Sequence, residues 1–138
     1  MASGYETILA AVESLLTTPT DFMDGAYGTR RGHLTPIPRD QAPGAHIVGG
    51  DDNPKRGNAC GGRSGEFTVS IYTRDDAGSS AADPYLIELY ARMAEPFTAG
   101  TVVKPAGIHR ETEIADGDAA RTDCRFTVEY STADEWSL

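Results

Sequence analysis

The sequence predicts an α+β fold with a mainly antiparallel sheet, and three observations predict it. Two segments carry apolar residues at helical spacing, and several others alternate apolar and polar residues with a period of two. The alternating segments come in pairs joined by turn-forming residues, with no helix between the members of a pair. The order is helix, strand, strand, helix, strand, strand. Such a chain places both helices on one face of the sheet. At 138 residues it is long enough for one domain, spanning 1–138, with a real core.

The first helix opens at Ser3, with Glu6 three residues on in a capping-box pattern. Ile8, Leu9, Val12, Leu15 and Leu16 then form one apolar stripe. Thr17-Thr18-Pro19 ends it, because the residue before a proline avoids the α region. Residues 19–44 carry no clear period. Phe22-Met23-Asp24-Gly25 reads as a brief extended piece and a turn, and Pro36, Pro38 and Pro43 break any regular element.

Two strands are predicted at 45–48 and 66–73, with Phe67, Val69 and Ile71 on one side of the second. Between them lies GGDDNPKRGNACGGRSG, residues 49–65, with six glycines, charges of both signs and almost no apolar content. The spacing predicts a long flexible hairpin loop. Loops of that length are binding loops or remain disordered, and no catalytic motif accompanies this one. It reads as an arm ordered by contact with another subunit.

The second helix has Asp83 as its predicted N-cap and Pro84 at its first position. Its stripe is Leu86, Leu89, Tyr90, Met93 and Phe97, with Gly100 as the stop. A third strand lies within 102–114. The fourth, 122–130, alternates Cys124, Phe126, Val128 and Tyr130 with polar residues, and Asp116-Gly117-Asp118 makes the turn between the two. Residues 131–138 form a C-terminal tail, in which Trp136 hints at docking.

Composition narrows the function. The net charge of −9 opposes a grip on phosphate backbones; it reads first as simple solubility, with an acidic wall that DNA slides past as the sharper alternative. Cys60 and Cys124 form no CxxC pair, so zinc and redox motifs lack support. Glu6 and Glu13 interrupt the N-terminal apolar stretch, against a signal peptide, and no run is long enough to span a bilayer. A cytosolic protein with free thiols is the expectation.

No catalytic constellation emerges. His33, His46 and His109 do not pair at helical metal-site spacing. Ser64 precedes a strand, whereas a nucleophile elbow sits on a strand-to-helix turn. Asp51-Asp52 and Asp116-x-Asp118 lack the ligand spacing of a calcium loop and read as solvated turns. Arg30 and Arg31 make a small basic spot without the glycine and lysine spacing of a phosphate loop. No catalytic residue, cofactor or metal ligand is assigned.

The element order and four segments resemble the tail terminator proteins of long-tailed bacteriophages, the lambda-like minor tail protein U group. The segments are the helix Ile8–Leu16 with the following Phe22-Met23-Asp24-Gly25, the strand Phe67–Tyr72, the helix containing Tyr90-x-x-Met93, and the closing strand Thr122–Tyr130. The resemblance implies a structural protein without enzymatic activity. It would form a ring, usually of six copies, that caps the tail tube, stops polymerisation of the major tail tube protein and presents a surface to the head–tail connector. Its place would be the tail and neck of the virion, after assembly in the host cytoplasm, with no membrane partner and DNA only as passing cargo. A different head–tail joining or tail tube protein is the nearest alternative. A small α+β enzyme or ligand-binding domain, gathering His46, His109 or the Asp116/Asp118 pair in a pocket, is another.

Within the ring reading, the candidate residues for contacts with other subunits or the tube are Arg30, Arg31, Asp51, Asp52, Lys55, Arg56, Arg63 and Trp136. Ion pairs between exposed groups of this kind are worth about 0–1 kcal/mol each, so apolar contacts must carry most of the affinity. Deletion of 51–63 is expected to leave the fold intact and impair tail completion.

Overall fold

The computed structural model describes residues 4–23, 27–32, 37–54, 62–74, 82–94, 102–110 and 119–131. Two helices, α1 (Gly4–Thr17) and α2 (Asp83–Met93), accompany five strands: β1 (Gly28–Arg31), β2 (Gly44–Pro54), β3 (Gly62–Thr73), β4 (Val102–Arg110) and β5 (Ala120–Ser131). The strands form one sheet in the order β1-β2-β3-β5-β4. All pairings are antiparallel except β1 with β2. The class is therefore the expected α+β, with one strand more than the sequence pattern indicates.

The period of two sets the faces of the sheet. Ala45 and Ile47 of β2 stand beside Ile71 and Val69 of β3, which stand beside Thr122 and Cys124 of β5. Apart from the buried Thr122, these side chains share one buried apolar cluster with Ile8, Leu9, Val12 and Leu16 of α1 and with Leu86, Leu89 and Met93 of α2. Both helical stripes thus pack on the same face. Phe67 and Phe126, neighbours across β3 and β5, stack with ring centroids 5.2 Å apart at the centre, and Tyr90 meets Phe126 edge-on at 5.8 Å. A 14-residue helix is marginal alone in water. Burial of four large side chains, at about 1.5–3 kcal/mol each, holds α1 in place.

Two polar clasps complete this face. The Tyr5 hydroxyl donates to the Glu66 carbonyl and accepts from the Gly50 N–H (2.9 Å). These are backbone groups beside the irregularity between Gly49 and Asp52, where the β2–β3 ladder shifts. Arg92 of α2 donates from Nη1 to the carbonyls of Leu15 (3.1 Å) and Thr20 (2.6 Å), and from Nε to Glu88 (2.9 Å). It satisfies acceptors that the end of α1 would otherwise leave open. Arg92→Ala is expected to cost about 1.5–3 kcal/mol, the range for hydrogen bonds to a charged group. Urea unfolding measures it. Arg92→Lys should not restore the loss, because a single ammonium lacks the fork that reaches both helices.

β1 was not legible in the period. Gly28 has φ +69°, in the left-handed region, and a Cβ there would lie 2.7 Å from Asp21 Oδ2. The Asp21 carboxylate accepts from the N–H groups of Met23 and Thr29 (both 2.9 Å) and from the Thr29 hydroxyl (2.7 Å). A side chain outside any strand therefore starts this parallel edge, and Phe22 and Met23 beside it are buried in the core.

Two expectations need correction. First, residues 49–54 and 62–65 are not loop: they continue β2 and β3, with Asp52, Asn53 and Pro54 paired to Gly65, Ser64 and Arg63. Glycine-rich sequence is compatible with strand here because β5 supports β3 along its length, Gly62 to Thr73. The hairpin connection is 55–61, which lies outside the described residues. Second, the N-cap of α2 is Ala82, without a side-chain hydrogen bond, and Asp83 is the first helical residue. Its carboxylate instead pairs with Arg110 of β4 at 3.1 Å. Ser3, Phe97, Gly100 and the Asp116/Asp118 turn lie outside the described residues.

Cys124 is buried and free, and burial pushes its thiol up to about 12, with the neighbouring Asp123 charge adding and Arg110 opposing. Burial likewise raises Tyr90 and Tyr72 above the usual tyrosine range, the latter against the Arg121 hydrogen bond and charge. The folded state thus holds the Cys124 proton more tightly than the unfolded state. Its contribution to stability is complete below about pH 9 and lost as pH rises towards about 12. The urea midpoint is expected to fall across that window, and Cys124→Ala should make the fall shallower.

Candidate assembly surfaces

The face of the sheet opposite the helices is polar. On β3 it carries Thr68, Ser70 and Tyr72, on β5 Arg121, Asp123 and Arg125, on β2 His46, and on β4 His109. The end near β1 is closed. His46 is 1% exposed, its Nε2 2.6 Å from the Tyr27 hydroxyl and its ring 5.3 Å edge-on to Tyr72. Ile37, Ala42 and Ala119 pack with Tyr72 and Tyr27 over this end. The Ser70 hydroxyl donates to Asp123 at 2.7 Å, and Asp123 forms an ion pair with Arg121 at 3.3 Å. Asp123 is thus held between a hydroxyl and a guanidinium.

The other end is open. A groove of about 430 Å³ is lined by Thr68, Gly107, Ile108, His109, Asp123 and Arg125. His109 and Asp123 are direct partners across β4 and β5. His46 lies away from this groove, between the two tyrosines, so the two histidines are not gathered. Among the described residues, no group of three or more His, Cys, Asp or Glu side chains could hold a metal ion.

The two edges of the sheet differ. β1 is four residues long and parallel. β4 has nine residues, is antiparallel, and shifts register between Pro105 and Gly107. A proline and an irregularity are common ways of limiting indiscriminate pairing at an edge.

Of the residues singled out in the sequence, Arg30 and Arg31 do not form one basic spot. As neighbours on a strand they point to opposite faces. Arg30 is exposed on the polar face, its guanidinium 3.9 Å from the Tyr27 ring centroid and its Nε donating to the Tyr27 carbonyl at 3.2 Å. Arg31 reaches α1 and pairs with Glu6. Asp51 is exposed on β2, and Asp52 is paired with Gly65 in the ladder. Arg63 was expected at an exposed subunit contact, and this is corrected: it is 7% exposed and paired across β3 and β5 with Tyr130, a member of the core cluster. The strand continuing into the Gly-rich segment is what carries it inside. Ser64 sits within β3, not on a turn to a helix. Lys55, Arg56, His33 and Trp136 lie outside the described residues.

Sequence reasoning missed the Tyr27–His46–Tyr72 cluster and the Ser70–Asp123 bond. Alternation put Ser70 and Asp123 opposite the core, but only the register makes them neighbours. Compared with models of known protein families and with curated proteins, the chain matches none.

Proposed function

We propose that this chain is a structural tail terminator of a long-tailed bacteriophage: a ring that caps the tail tube, stops its growth and offers the head-joining surface. The observation that carries the reading is a sheet with its helices on one face and two unlike edges, β1 and β4, on opposite sides. A subunit that meets its neighbour through two different surfaces makes heterologous contacts, which close into a ring when the rotation allows. The resemblance in four segments adds to this.

In this reading six copies surround a channel. The net charge of −9 per copy weakens adhesion of passing DNA wherever it faces inward. The hairpin connection 55–61, with Lys55 and Arg56, and the exposed Asp51 and Arg30 reach neighbouring subunits or the tube. The tube protein and the head–tail connector are the expected partners. The test is tube assembly in vitro. Purified protein added to polymerising tube subunits of the same phage should fix tube length at low molar ratio. Growth that continues unchanged refutes the proposal.

One observation favours a second reading. The groove holding His109, Asp123, Arg125 and Thr68 has the mixed charge of a small polar ligand site. If a ligand-binding domain is the answer, His109→Ala and Arg125→Ala abolish ligand binding and leave assembly untouched.

A further inference from the structure

The row Thr68, Arg125 and Gly107 crosses the open groove of about 430 Å³, with the exposed Arg125 between a short side chain and none. A Cβ on Gly107 would lie 3.8 Å from Arg125 Nη2, so the guanidinium rests against the bare backbone of β4. The other arginines whose side chains are described are all engaged. Arg31, Arg92, Arg110 and Arg121 pair with Glu6, Glu88, Asp83 and Asp123, and Arg30 and Arg74 donate to carbonyl groups. Arg63 is buried and has a partner. Among the described residues Arg125 has no hydrogen bond or ion pair. We infer that its partner is a ligand: the groove seats a small molecule through a carboxylate or phosphate group, held by the Arg125 fork with Thr68 and His109 beside it. The inference rests on the second reading, in which this groove is a ligand site, and does not need the ring.

Charge and size agree. Asp123, the acidic residue lining the groove, already accepts from the Ser70 hydroxyl and pairs with Arg121. One row along, Lys104 and Glu66 are both exposed and flank Thr127 from either side, so they offset each other. Glu129, a row further, has a partner of its own. The uncompensated charge over the groove is therefore that of Arg125, on a chain whose net charge is −9. A guanidinium presents paired N–H donors in one plane, which match two oxygens of a carboxylate or phosphate. Thr68 stands across β3 and β5 from it, and His109 lies two residues beyond Gly107 on β4, on the same face. Small-ligand sites have volumes of about 300–1,000 Å³ and fix orientation with a few placed polar groups.

The test is a titration of the full-length protein with succinate and with inorganic phosphate at constant ionic strength, read by backbone amide chemical shifts. Shifts should centre on Thr68, Gly107, His109 and Arg125 and should saturate, with a dissociation constant on the order of millimolar for so small an ion. Arg125→Gln should weaken binding about tenfold or more while the amides outside the groove keep their positions. Arg125→Lys should recover only part of the loss, because an ammonium lacks the fork. Either anion binding in this way supports the inference, and the tighter one names the group. Failure of both anions overturns it. If ethylammonium or glycerol shifts the same amides instead, the groove is a ligand site of other chemistry and the second reading stands without the inference; if neither does, the second reading falls with it. Anion binding that survives Arg125→Gln also overturns the inference. So do groove shifts that grow with protein concentration in the absence of any added anion, which place a neighbouring copy on Arg125.

Discussion

Truncation of Phe126 to alanine is expected to cost about 3–5 kcal/mol, the range for removing a fully buried phenylalanine. Phe126 is 0% exposed, stacks on Phe67, meets Tyr90 and lines a cleft beside α2. It joins the sheet centre to α2, so the surroundings cannot collapse into the space without moving a helix. Domains of this size have about 5–15 kcal/mol in total. The variant should therefore be marginal, with a urea midpoint far below that of the wild type by circular dichroism. Phe126→Leu fills most of the volume and should lose much less. Equal losses in the two variants would mean that the stacking geometry, and not the cavity, sets the cost.

Replacement of residues 55–61 by Asn-Gly is expected to leave the fold intact and abolish ring function. With Gly62 the insert makes a three-residue connection between Pro54 and Arg63, the last paired positions, and hairpins use that length readily when it contains glycine. A deletion of 51–63, by contrast, removes paired positions of β2 and β3 and the buried Arg63, so its loss of function would be a loss of fold. The shorter replacement separates the two. Its urea midpoint should stay near that of the wild type, while the purified protein no longer fixes tube length. Full tube arrest by this variant would remove the connection from the interface.

The parts of the fold legible in the sequence are those where one physical rule acts alone. The stripes of α1 and α2 and the alternation in 66–73 and 122–130 are buried as their periods require. β1 was illegible because its cause is a side-chain contact, the Asp21 carboxylate on Thr29, with no period to betray it. The strand ends at 49–54 and 62–65 were hidden for the opposite reason. Glycine lowers local strand preference, and pairing to β5 overrides it. Of the candidate contact residues, exposure follows position on a strand rather than charge. Arg30 and Asp51 face solvent, whereas Arg63 is inside. The His46 cluster depends on register between distant segments, and no spacing in one chain carries that information.

Solution mass by sedimentation, taken over a wide range of protein concentration and paired with electron micrographs of the same samples, tests the ring most directly. The proposal predicts one closed species of about six copies and rings of uniform diameter. A monomer at every concentration, or filaments that lengthen as protein is added, would contradict it.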